Sequence, residues 1–182
     1  MGELVAASEP THHMDVPQRP YAGPHPQRPP LGVAEREPGQ AEGLLDHHLP
    51  APQARALAVE QARKLRHRGP DWSGAFADER FALAHERLAI VDVHGGAQPL
   101  VGEQGRLQLA VNGEIYNHQS LRADLPWPYT TASDCEVILP LYRKLGADLC
   151  EPLRGMFAFV LVDTQTGDWI IGRDHVGIIP LY

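Results

Sequence analysis

Arg87, the triplet Asn112-Gly113-Glu114, Asp134 and the two thiols Cys135 and Cys150 are the side chains of this sequence whose types could do chemistry together. A guanidinium pairs a carboxylate through two parallel hydrogen bonds. Carboxylates pair an ammonium, and a thiol is the most reactive nucleophile among the ordinary side chains. Taken one at a time, each has a plainer role: Arg87 a surface cation, Asn112-Gly113 a hairpin turn, Asp134 a first-turn carboxylate favoured by a helix dipole. Cys135 beside it reads as a small hydrophobe on a helix. The pairs His12-His13 and His47-His48 have no Cys or regularly spaced acid near them, so no metal site is expected.

The elements that must position these groups are visible as periodicities. Ala54, Leu57, Ala58, Ala62 and Leu65 recur at helical spacing, with basic residues toward the carboxyl end and Gly69-Pro70 as a stop. Phe81 and Leu83 alternate with smaller or polar neighbours, as do Leu107, Leu109 and Val111; both runs predict strands with one buried face. Ser133 and Glu136 make an S-x-x-E capping box ahead of Val137, Ile138, Leu141, Tyr142 and Leu145, with Gly146 closing the helix and Pro140 expected to kink it. The apolar runs Met156 to Val162 and Trp169 to Gly172 flank a polar stretch and predict a hairpin. Hairpins interleaved with helices imply an α+β domain on antiparallel sheet.

Composition excludes several classes. The chain of 182 residues suits one domain. A net charge of -7 offers no basic field for nucleic acid. Two cysteines argue against a disulfide scaffold. No apolar run is long enough to span a bilayer and the start lacks a secretory signal, so the reading is cytoplasmic. Residues 1–50 hold nine of the 17 prolines and Tyr21 as their only aromatic residue, and the segment 1–42 is expected to be a disordered or extended extension ahead of a domain over 43–182.

From residue 65 onward the chain reads LRHRGPDWSG, AHERLAIVDVHGGAQPL, VNGEIYNH, SDCEVIL, GMFAFVLVD and GRDHVGIIPLY in unbroken order. This order resembles the glutaminase half of glutamine-hydrolysing asparagine synthetases of the B type, a class II, N-terminal-nucleophile amidotransferase domain. The resemblance implies a four-layer sandwich of two antiparallel sheets with helices outside, incomplete here at both ends. It also implies a glutamine site: Arg87 for the α-carboxylate, Asp134 and Glu114 for the α-ammonium, Asn112 and the Gly113 amide as oxyanion donors, Leu88, Ala89, Ile90 and Val91 as pocket wall, and Arg68 near the nucleophile.

That family attacks glutamine with a cysteine at the start of the mature chain, whose own α-amine is the base. Gly43-Leu44-Leu45-Asp46 resembles the stretch following the family's Cys-Gly-Ile-Ala, and counting back places the nucleophile's position at Gly39. Glycine has no side chain to attack with, and Cys135 carries no α-amine, so this chain as written is expected to be inactive. Family members deliver ammonia to a synthetase domain that uses ATP and Mg to amidate aspartate, and they are often homodimeric. The nucleotide loop of that domain has no counterpart here, so no cofactor is expected in this chain. The expected partners are glutamine and a synthetase domain or chain, and the alternative is a pseudo-glutaminase that binds glutamine or a partner without catalysis.

Overall fold

The computed structural model describes residues 49–181. Gly39, the extension 1–42 and the Gly43-Leu44-Leu45-Asp46 motif lie outside them. Helix α1 spans Ala51–Arg63 and opens with Pro52, whose missing N–H falls where none is needed. Ala54, Ala58 and Ala62 form one ridge at four-residue spacing that is partly buried, and the helix packs on a two-stranded sheet. The expected apolar stripe is narrower than its sequence: Leu57 and Leu65 are 47% and 56% exposed. Leu57 lies beside the alanine ridge and Leu65 beyond the helix, which gives way to turns after Arg63 rather than running to Gly69.

That sheet is the antiparallel pair β1 (Trp72–Ala77) and β2 (Ala82–Arg87). Asp78 makes the turn, its Oδ1 accepting the amides of Arg80 and Phe81 at 2.8 and 2.7 Å. Phe81 therefore belongs to the turn. The single buried face expected for this strand is absent, since Ala82 to Glu86 are all partly buried and Arg87 fully so.

The second sheet has the order β3-β4-β5-β6, every neighbour antiparallel. Its strands are β3 (Leu100–Gly102), β4 (Leu107–Ile115), β5 (Gly155–Asp163) and β6 (Trp169–Arg173). Strands β5 and β6 form the expected hairpin. In β4 the expected core face is Leu107, Leu109 and Val111, all buried, packed in one core with Phe157, Phe159 and Leu161 of β5 and Ile138, Leu139 and Leu141 of a helix, but the opposite face is not open throughout, since Gln108 is buried as well. The two sheets meet through β2 and β4. Helix on small sheet, small sheet on large sheet, and large sheet on helix is the α+β sandwich arrangement.

A short helix α2 covers His118–Asp124 and α3 covers Ile138–Leu145. A 3₁₀ turn, Asp134–Val137, precedes α3. The capping box does not form. Ser133 makes no side-chain cap, and the buried Glu136 carboxylate instead accepts the amides of Thr130 and Thr131, both at 2.8 Å, and both their hydroxyls. Four donors in one place, with Arg122 3.6 Å away, outcompete the single amide a box would offer. Pro140 falls in the first turn of α3, close behind the 3₁₀ turn, rather than in the helix interior where a kink is expected. Among the described residues no helix is long and apolar enough to cross a membrane.

Candidate functional site

One cavity of about 630 Å³ collects most of the residues singled out from the sequence, within the range typical of small-molecule sites. Its wall includes Arg68, Arg87, Leu88, Ile90, Val91, Asn112, Gly113, Glu114 and Asp134. Ala89 is the exception. Its amide donates to Asp71 Oδ2 at 2.9 Å, and it lines a separate cavity of about 260 Å³ with Trp72 and His94. Leu88 and Ile90, on either side of Ala89, reach the larger cavity.

Arg87 ends β2 and is 8% exposed. It is a buried cation, not a surface one. Its Nη1 donates to Gly95 O at 2.8 Å and its Nη2 to Val91 O and Asp92 O at 2.9 and 2.7 Å. The 88–96 loop is thus wrapped around the guanidinium, which keeps further N–H groups for a ligand. Asp134, 5% exposed, opens the 3₁₀ turn, and its Oδ2 accepts the amide of Ile115 at 2.6 Å. That bond pins the turn to the end of β4.

Asn112 and Gly113 lie inside β4, paired with Ala158 and Phe157, so the hairpin-turn alternative fails for them. Gly113 has φ +143, and a Cβ there would lie 2.0 Å from Met156 O. No side chain fits between β4 and β5 at that point. The exposed Asn112 and half-buried Glu114 side chains make no hydrogen bond among the described residues, leaving both amide and carboxylate to the cavity.

Cys135 also lines the cavity. Its Sγ lies 3.7 Å from Gly113 O and 3.7 Å from Asp134 Oδ2. Burial first, and the Asp134 carboxylate beside it second, push its thiol well above the ordinary cysteine range. A thiol held protonated is a poor nucleophile. Burial, reinforced by the charge of Arg87 and opposed by Glu86, lowers His85 on the same wall to about 4, so it is neutral at pH 7.

A family model described as a glutamine amidotransferase domain matches residues 43–182. This chain belongs to that family. Asparagine synthetase B [glutamine-hydrolyzing] of Escherichia coli is 54% identical over 142 residues, 77% of this chain and 26% of the relative. Asparagine synthetase [glutamine-hydrolyzing] 3 of Arabidopsis thaliana is 53% identical over 129 residues, 70% of this chain and 22% of the relative. The Zea mays asparagine synthetase [glutamine-hydrolyzing] is 50% identical over the same length. The chain spans about a quarter of the length of the curated relatives it matches.

Three contributors to the shape of this cavity have no motif in the sequence that announces them. Gln98 clamps β4 from the side, its amide nitrogen donating to Val111 O and its oxygen accepting Val111 N, both at 2.8 Å. Asp92 ties the 88–96 loop to the segment before Asp134. Asp174, 3% exposed, accepts the amides of Val176, Gly177, Ile178 and Ile179 and of Phe157, and so shapes the loop that brings Ile179 and Pro180 to the cavity. An Asp three residues before a glycine, as in Asp174 to Gly177, is the one local signal that could have exposed this last device. Among the described residues no cluster of three or more His, Cys, Asp or Glu side chains could hold a metal ion.

Proposed function

We propose that the chain is the glutaminase domain of a glutamine-dependent asparagine synthetase, and that as written it holds glutamine without hydrolysing it. Arg87 receives the α-carboxylate, Asp134 and Glu114 the α-ammonium, and Leu88, Ile90 and Val91 the side-chain methylenes. Asn112 and the Gly113 amide are the donors that would stabilise charge developing on the side-chain carbonyl oxygen. The observation that carries this reading is the buried pair of opposite charges, Arg87 and Asp134, on the wall of one cavity. A free amino acid presents two opposite charges one carbon apart, and a ligand bearing both compensates the desolvation of each.

Binding without turnover is favoured by Gly39, the residue at the nucleophile's place in the family register, together with a Cys135 thiol held protonated by its surroundings. In relatives that hydrolyse glutamine, ammonia would pass to a synthetase domain using ATP and Mg. That domain, on the same chain or another, is the proposed partner, with the cytoplasm as the compartment and a homodimer as the assembly.

Titration calorimetry with L-glutamine tests the pocket. Arg87→Ala and Asp134→Ala should each weaken binding by about 2–5 kcal/mol, the range for stranding one member of a buried charge pair. Unchanged affinity in both variants refutes the pocket. Ammonia release from glutamine should stay at background, and turnover that disappears in Cys135→Ala would overturn the assignment of Gly39.

A further inference from the structure

The two charges of the proposed glutamine site come from segments far apart in the chain, and one side chain joins them. Arg87 is held by the carbonyls of Val91, Asp92 and Gly95. The Asp92 carboxylate then divides its two oxygens: Oδ1 accepts Gly95 N at 3.0 Å within the loop, and Oδ2 accepts Ala132 N at 2.9 Å across 40 residues of sequence. Ala132 is two residues from Asp134, which is itself fixed to β4 through Ile115 N. Among the described residues the bond to Ala132 is the one side-chain hydrogen bond between the 88–97 loop and the 130–134 segment.

The backbone is shaped to permit this junction. Asp92 has φ +54, a conformation non-glycine residues adopt at a cost and that Asp tolerates better than most. Gly96 has φ +57, and a Cβ on it would lie 3.1 Å from Arg87 Nη2, 3.3 Å from Ser133 Cβ and 3.4 Å from Asp92 Oδ2. The guanidinium, the carboxylate and the segment leading to Asp134 therefore close on a single point where a Cβ would be crowded from three sides.

We propose that Asp92 is a positioning residue that sets the separation between Arg87 and Asp134, and thereby selects ligands whose carboxylate and ammonium stand one carbon apart. This rests on the glutamine reading above. The inference deepens it by assigning the selection of an α-amino acid to a residue that touches neither charge of the ligand. Removing the brace frees the two anchors to move apart, so discrimination against a longer spacing relaxes.

Competition binding on the full chain with L-glutamine and β-homoglutamine, which carries one extra methylene between carboxylate and amine, tests this. One misplaced methylene is commonly discriminated by about 10–200-fold. Wild type should prefer L-glutamine by at least about tenfold. Asp92→Ala should bring the ratio to within about threefold of unity, because the site no longer enforces that methylene. Asp92→Asn keeps one acceptor oxygen and should fall between. A ratio unchanged in both variants overturns the proposal, whether both affinities hold or both drop by the same factor, since a merely structural role lowers the two together. Failure of wild type to bind L-glutamine overturns the underlying reading and the inference with it. That outcome shows in wild type alone, separate from any effect of the variants.

Discussion

Replacing Asp174 with alanine removes a carboxylate that five backbone amides share, at 2.7–3.4 Å. The loss can be worked from which amides find water. Val176 and Ile178 are 68% and 55% exposed, so the loop amides can turn to solvent and forfeit only the net worth of their bonds, about 0.5–1.5 kcal/mol apiece at most. Phe157 is 3% exposed, and stranding its amide adds about 1–3 kcal/mol. Because the amides of Val176, Gly177 and Ile178 share the single oxygen Oδ1, each term is taken near the low end of its range and a total near 3–4 kcal/mol is expected, a large share of a typical margin of about 5–15 kcal/mol. Asp174→Asn retains one acceptor and should lose about half as much. Urea unfolding followed by tryptophan fluorescence measures this, with a midpoint about 2 M lower for alanine at an ordinary urea slope. The same side chain governs acid sensitivity. Burial pushes the Asp174 carboxyl up, but the amides of Ile178, Ile179, Phe157 and Gly177 outweigh it and hold the folded value below the ordinary one. Its stabilisation is therefore complete above the unfolded value of about 3.9 and is lost as pH falls through the lower folded value. Asp174→Asn should flatten that limb. An alanine variant that unfolds at the wild-type urea midpoint would refute the account of Asp174 as the organiser of this loop.

Other consequences are as specific. Gly113→Ala places a methyl 2.0 Å from Met156 O and 2.6 Å from Phe157 Cα at a φ of +143, and should destabilise by about 3 kcal/mol or more, read as a fall in Tm of about 10 °C; a Tm unchanged by the methyl would show that β4 and β5 are not so closely apposed there. His85 should titrate in the folded chain near pH 4 by NMR. Because the unfolded ring takes its proton near pH 6.5, stability should decline as pH falls from about 6.5 toward 4, and a folded midpoint near 6.5 would contradict its burial beside Arg87.

Local pattern was enough to read much of this protein. The β5–β6 hairpin follows from two apolar runs around a polar turn, and the buried Leu107, Leu109 and Val111 from period-two alternation, because a strand's pleat imposes that period wherever one side is dry. The motif strings around Arg87, Asn112 and Asp134 pointed to one ligand site, and nine of the ten residues named from them, Arg68 included, fall on one cavity wall with only Ala89 aside once Gly39, outside the described residues, is left out. Partner choice was decided elsewhere. Glu136 reads as half of a capping box until folding offers it the donors of Thr130 and Thr131. Arg87 reads as a surface cation until its own loop closes over it. Asp92 and Asp174 look like ordinary polar loop residues, since their decisive acceptors' partners lie 40 and 17 positions away. A side chain's periodicity is a property of the chain around it, whereas its hydrogen-bond partner depends on which distant backbone arrives beside it and on whether water is excluded there.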